Sequence, residues 1–207
     1  MALLGKYVAD ITRNDIRDLV QTHVTEDAFL DFKEVIFHPK HPKPNEIIDG
    51  LLTDLIAFAN AFGGHIVVGI EDKRDHAWHF KFMSQDEARR VSIKLKALAI
   101  QHIKPPIVPL EIVPFSMNDL ADEWVVVVRI PEGQAKPHMS SFLGQTRFVL
   151  RDGNRNRSMT ADEIQQAFLA GPQQSALASI HTELRSVRAL VEANAVGKRR
   201  WWRFRGP

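Results

Sequence analysis

The sequence predicts an α+β fold in which a mixed, largely antiparallel sheet packs with helices, followed by a C-terminal helix and a basic aromatic tail. Three observations predict it. From Asn45 to about Phe62, residues Ile48, Leu51, Leu52, Leu55, Ile56 and Ala59 form one broad apolar stripe, the pattern of a core helix. The pair Gly63-Gly64 stops that helix, and His65 to Ile70 (HIVVGI) is an apolar run of strand length that suits burial on both faces. Three β-rich segments then follow without an intervening helix, at Ile107 to Phe115, Glu123 to Ile130 and Gln145 to Leu150, which favours antiparallel pairing.

Each element has a local reason. A first helix is expected over Asn14 to Val24, with Thr12 three residues before Asp15 as a candidate cap and Ile16, Leu19 and Val20 on one side. Phe29 to Ile36 mixes aromatic and β-branched residues and reads as a strand. His38 to Pro44 (HPKHPKP) cannot continue it, because its three prolines lack the amide that a ladder needs. Asn45 is the expected cap of the core helix, and Gly63 is expected in the left-handed conformation that closes helices. A helix over Gln85 to Ile103 precedes the break at Pro105-Pro106. Thr160 with Glu163 forms a capping box opening a helix to about Leu169, and Gly171-Pro172 ends the compact domain. The expected organisation is one domain over residues 1–171, an amphipathic helix over 172–195 and a tail over 196–207.

Composition bounds the chemistry. The 207 residues include no cysteine, which removes disulfides, thiolate metal sites and cysteine nucleophiles; a metal would be held by oxygen or imidazole. The N-terminus lacks the pattern of a secretory signal and no apolar run reaches the roughly 20 residues of a membrane span, so a cytoplasmic, soluble protein is expected. Five of the 27 basic residues (Lys198, Arg199, Arg200, Arg203, Arg205) fall after Ala195 with no acid among them, leaving 22 basic against 25 acidic residues and a net −3 over residues 1–195. Attraction to a polyanion must therefore be local. No G-x-x-x-x-G-K-[ST] pattern occurs, and Gly63-Gly64 follow a helix where a phosphate loop precedes one, which argues against ATP hydrolysis.

Four segments in fixed order resemble the Schlafen AlbA-like domain, a family associated with nucleic acid: LDFKEV (Leu30 to Val35), AFANAFGGHIVVGIED (Ala57 to Asp72), IKPPIVPLEIV (Ile103 to Val113) and FVLRDGNRNRSMTADEI (Phe148 to Ile164). The second block is the most specific, and the resemblance spans about Thr25 to Phe168. Schlafen proteins that cleave RNA use two acids five positions apart ahead of the F-K pair and a third in the acidic turn after the buried strand. On this chain those positions are Glu26, Asp31 and Asp72, with Glu71 adjacent. The resemblance thus implies a Mg²⁺ or Mn²⁺ site on Glu26, Asp31 and Asp72, with Lys33 neutralising charge on a reacting phosphate. The plain alternative is that these acids are solvated caps and turn residues.

For binding, Arg147, Arg151, Arg155 and Arg157 alternate with Asn154 and Asn156 around Gly153, a set suited to phosphates and base edges or, equally, to a solvated hairpin or a loop salt-bridged to the acidic body. Asn60 is read as structural, bonding a local carbonyl or turn amide. His38 and His41 are not expected to hold zinc, because Pro39 sets them on a turn. Leu177, Ile180, Leu184, Val187 and Val191 repeat at coiled-coil spacing, which suits a homo-oligomer or a helix folded back on its own domain. In the tail, Lys198, Arg199, Arg200, Trp201 and Trp202 interleave cations with aromatics, as for stacking unpaired bases, lying on an anionic membrane surface through residues 198–205, or remaining disordered when free. The leading expectation is a nucleic-acid-binding module, DNA or RNA, with a regulatory role as one version. The alternatives are a divalent-metal-dependent endonuclease and an assembly or membrane-surface adaptor.

Overall fold

The computed structural model describes residues 3, 5–34, 42–118, 120–170 and 184–185, and the chain divides into two units, Met1–Ile164 and Gln165–Pro207. The first unit opens with a 3₁₀ turn at Val8–Asp10 and helix α1 (Arg13–Gln21). Thr12 caps α1 through the predicted box: its hydroxyl accepts from the Asp15 amide at 3.2 Å, and the Asp15 carboxylate accepts from the Thr12 amide at 2.8 Å. Strand β1 (Leu30–Lys33) is shorter than the predicted segment. The loop bearing His38, Lys40 and His41 lies outside the described residues.

Helix α2 (Pro44–Asn60) begins earlier than predicted, with Lys43 at the cap position and Asn45 inside the first turn. Pro44 decides this, because its fixed φ suits the first helical position and its missing amide costs nothing there. Gly63 follows at φ +74°, as predicted, and a Cβ on it would lie 2.6 Å from the Ile130 carbonyl oxygen. Strand β2 (Gly64–Val68) comes next, and Gly69 at φ +107° turns the chain into β3 (Ile70–Asp72), so the run read as one strand is two. β4 (Ala77–Phe80) pairs with β3 as a hairpin.

Helix α3 (Gln85–His102) has its own capping box, Ser84 with Glu87. The remaining strands are β5 (Ile103–Lys104), β6 (Glu111–Ser116), β7 (Trp124–Ile130), β8 (Met139–Phe142), β9 (Gln145–Arg147), β10 (Val149–Asp152) and β11 (Arg155–Ser158). The predicted strand at Gln145 to Leu150 breaks at Phe148: β9 joins a sheet with β5 and β8, whereas β10 pairs with β11. Helix α4 (residues 161–170) opens on Thr160, whose amide donates to Glu163 at 2.8 Å.

The central sheet has the order β1-β2-β7-β6, with β1 and β2 parallel and the other pairs antiparallel. A parallel pair needs a crossover, and α2 provides it. Alternation along the central strands sends Ile66, Val68, Val126, Val128 and Ile130 toward α2 and α3, while Val67, Val125 and Val127 join Leu30, Phe32, Ile16 and Leu19 on the other face. Both faces are thereby covered, which is why these strands read as unbroken apolar runs.

In the second unit, residues 165–170 and 184–185 are helical. The remaining positions of the Leu177 to Val191 seam and the whole tail, including Lys198, Arg199, Arg200, Trp201 and Trp202, lie outside the described residues. Among the described residues no helix is long and apolar enough to cross a membrane.

Candidate functional site

Glu26 sits on a short extended segment ahead of β1 that pairs with the chain entering β4. Thr25 bridges His76 antiparallel, the Ala77 amide donates to the Val24 carbonyl at 3.0 Å, and the Glu26 amide donates to the Asp75 carbonyl at 2.7 Å. This pairing sets Glu26 against the β3–β4 turn. One carboxylate oxygen from each of Glu26, Asp72 and Asp75 lies within 4.8 Å of the others. A shift in register between Glu71 and Asp72 separates those neighbours: Glu71 approaches Lys81 at 3.3 Å, away from the cluster.

The electrostatics fit the crowding. Burial, then the Asp31 carboxylate, pushes Glu26 up to about 8, although its Oε1 accepts from the Phe32 amide at 2.8 Å. Burial and the nearby Asp75 also raise Asp72. Three hard oxygen donors, with no sulfur or imidazole among them, fit Mg²⁺ or Mn²⁺, and a divalent ion would offset the burial and repulsion that raise Glu26 and Asp72.

Asp31 borders this cluster but is engaged elsewhere. It is buried, it accepts a short hydrogen bond from Lys33 Nζ, and Arg151 lies 3.8 Å from its other oxygen. Lys33 also reaches Asp54 on α2 at 3.2 Å, and Asp54 accepts from the Asn156 side-chain amide at 2.6 Å. Burial opposes the Lys33 charge, but Asp54 and Asp31 outweigh it and hold the ammonium above the usual lysine range. Burial pushes Asp54 up, against the pull of Lys33 and Asn156. The result is a buried network that ties β1, α2 and the β10–β11 hairpin together.

Most of the arginine segment is paired with acids of the domain, the salt-bridged alternative of its sequence reading. Arg151 is buried: its guanidinium donates to the Asp27 carbonyl at 3.1 Å and stacks 4.7 Å from the Phe58 ring centroid. Arg147 pairs with Asp49 at 2.9 Å, and Arg157 pairs with Glu163 at 2.7 Å, which draws the Glu163 carboxyl down to about 2. Arg155 is exposed, and Asn154 is half-buried in the turn after Gly153. Asn60 is structural as predicted but not local: its amide donates to the carbonyls of His138 at 2.8 Å and Val149 at 2.9 Å, and its oxygen accepts from the His138 amide at 2.7 Å.

Sequence reasoning missed Asp75, Asp54 and the bond from Asn156. An acid on the apolar stripe of α2 was the available signal for Asp54. No comparable signal marked Asp75, whose place depends on a pairing across 49 positions.

Comparison with known proteins bears on what such a site belongs to. The family described as Schlafen, AlbA_2 matches residues 26–160. No curated protein matches. The solved structure of the DIP2311 protein from Corynebacterium diphtheriae is similar at 19% identity and a TM-score of 0.44, over 70% of this chain and 29% of that one. The matched region takes in Glu26, the core helix with its glycine stop, the β3–β4 turn and the β10–β11 hairpin, and covers well over half of the sequence; the chain belongs to the Schlafen AlbA_2 family.

Proposed function

We propose that this domain processes nucleic acid, with Glu26, Asp72 and Asp75 as the ligands of a divalent metal and the phosphodiester backbone as the substrate. The approach of their carboxylate oxygens to within 4.8 Å of one another is the observation that carries the reading. A bound ion would supply polarisation of a phosphate oxygen and an acidified water. Glu26 must release its proton to serve as a ligand, and Asp31, held by Lys33 and Arg151, keeps the segment from Glu26 to Lys33 in place behind it.

Calorimetric titration with Mn²⁺, together with incubation of labelled single-stranded RNA and DNA with and without Mn²⁺, tests this. Metal-dependent products that vanish in Asp72→Asn are expected. Mn²⁺ affinity should also rise with pH up to about 8 and then level off, because the metal competes with the Glu26 proton; Glu26→Gln should remove that rise. Neither heat nor products from the wild-type protein would end the nuclease reading.

Binding without cleavage is the second reading. The observation favouring it is that Lys33 and Arg151 are both committed to internal carboxylates, so neither is free to neutralise a reacting phosphate. Retained binding with no cleavage by the wild-type protein would select it.

A further inference from the structure

The cations of the predicted arginine segment are largely spent on internal pairs, whereas α3 carries a row of unspent ones among the described residues. Arg89, Arg90 and Lys96 are exposed and make no ion pair or hydrogen bond among the described residues. Lys94 is exposed on the same helix. Lys104, just past the helix end, donates to the Ile100 carbonyl at 3.1 Å and has no ion pair among the described residues. The acids are confined to the start: Asp86 and Glu87 occupy the first turn, where they complement the helix dipole, and Asp122 accepts from the Gln85 amide.

The arrangement around the helix is ordered. Ala88, Val91, Leu95 and Ala99 face the core. At 3.6 residues per turn the outward face runs Lys96, Arg89, Ile100, Ile93, Ala97, Arg90, Lys94. Ile93 and Ile100, each 70% exposed, thus form a narrow apolar ridge with cations along both sides. From Arg89 to Lys96 the cations cover roughly 10 Å of helix rise, and Lys104 follows two residues past the helix C-terminus.

We propose that this outward face of α3 docks a phosphodiester backbone, an inference that rests on the nucleic-acid reading above. A second copy of the chain is a poor occupant, since two such faces would oppose cation to cation. An acidic protein is disfavoured because the narrow isoleucine ridge offers little of the apolar core around which a stable protein interface is built. A strand of nucleic acid needs no such core, because its affinity comes from replacing counterions with cations set along its length. The isoleucine ridge then packs against sugar or base faces between the phosphates.

Fluorescence anisotropy with a labelled single-stranded RNA of about 20 nucleotides and a DNA of the same sequence, over a salt series, tests the assignment. The triple variant Arg89→Ala, Arg90→Ala, Lys96→Ala should lose about 10-fold or more in affinity at low salt, and its slope of log affinity against log salt should shrink by roughly 2. Ile93→Ser with Ile100→Ser should weaken binding while leaving that slope unchanged. These side chains are exposed, so unchanged thermal melts confirm that the variants fold. Comparison of the two probes shows which strand is preferred. If the wild-type protein binds and the triple variant binds equally with the same slope, the α3 assignment is overturned and the nucleic-acid reading stands. If the wild-type protein binds neither probe, both are overturned. Displacement of the probe by poly-L-glutamate at equal charge concentration would make the face an acidic-polypeptide surface and also overturn the assignment.

Discussion

Asp75 occupies a conformation that a purely structural turn would give to glycine. Arg74 and Asp75 have φ of 57° and 63°, and Lys73 and His76 close the turn with reciprocal backbone hydrogen bonds of 3.0 and 3.3 Å. Two consecutive left-handed residues define a type I′ hairpin turn, for which Asn-Gly is the preferred pair, and an ordinary side chain costs about 1 kcal/mol at each position. The strain is matched by the position it creates, beside Glu26 and Asp72. Asp75→Gly should therefore stabilise the protein by about 1 kcal/mol in thermal or urea unfolding while weakening Mn²⁺ binding in calorimetry. A variant that melts no higher than wild type would remove the strain argument. At this scale the sequence was half legible. Glu26 and Asp72 stood out through their setting, whereas the inward direction of Arg151 depends on how the hairpin packs against Phe58 and Asp31, which alternation along a strand cannot reveal.

Two glycines associated with α2 give opposite predictions for the same substitution. Gly50 lies exposed in the helix with nothing within 4 Å of where a Cβ would be, so Gly50→Ala should stabilise by about 1 kcal/mol through helix propensity. At Gly63 the same methyl would meet the Ile130 carbonyl oxygen at 2.6 Å and the Glu132 amide nitrogen at 2.7 Å, on a backbone at φ +74°. Gly63→Ala should cost roughly 2–4 kcal/mol, conformational strain adding to a clash with backbone that cannot rotate away. Urea unfolding of both variants measures the contrast, and equal midpoints would refute it. These elements were readable because their signals are local: a stripe, a cap, a glycine stop. The strands β4, β5, β8 and β11 were not, since segments of two to four residues acquire their identity only from partners distant in sequence, as Ile103 does from Ser140.

Over the whole molecule, the fold class was legible from the order of apolar runs, but the closure of the second face was not, because it depends on the N-terminal segment folding back over β2 and β7. His65 fastens that segment, with Nε2 bonding the Lys6 carbonyl at 3.0 Å and Nδ1 buried without a hydrogen-bond partner among the described residues. His138 is placed similarly, with Nδ1 on the Pro105 carbonyl at 2.8 Å and Nε2 buried without a hydrogen-bond partner among the described residues. Burial lowers the pKa of both, so between that lowered value and about 6.5 the unfolded chain binds protons that the folded chain refuses. These histidines make stability fall as pH drops below about 6.5. Glu26 acts in the opposite sense: raised from 4.5 to about 8, it is protonated in the folded state where the unfolded chain has already ionised, so its contribution is lost as pH rises through that window. Thermal melts of the metal-free protein should consequently peak between these limbs. His65→Gln should flatten the acid limb alone, Glu26→Gln the alkaline limb alone, and Mn²⁺ should restore stability on the alkaline side, where Glu26 is free to bind it. A wild-type melting temperature that rises steadily from pH 5 to 9 without metal would contradict the burial of Glu26 beside Asp31, and with it the electrostatic basis of the acid cluster.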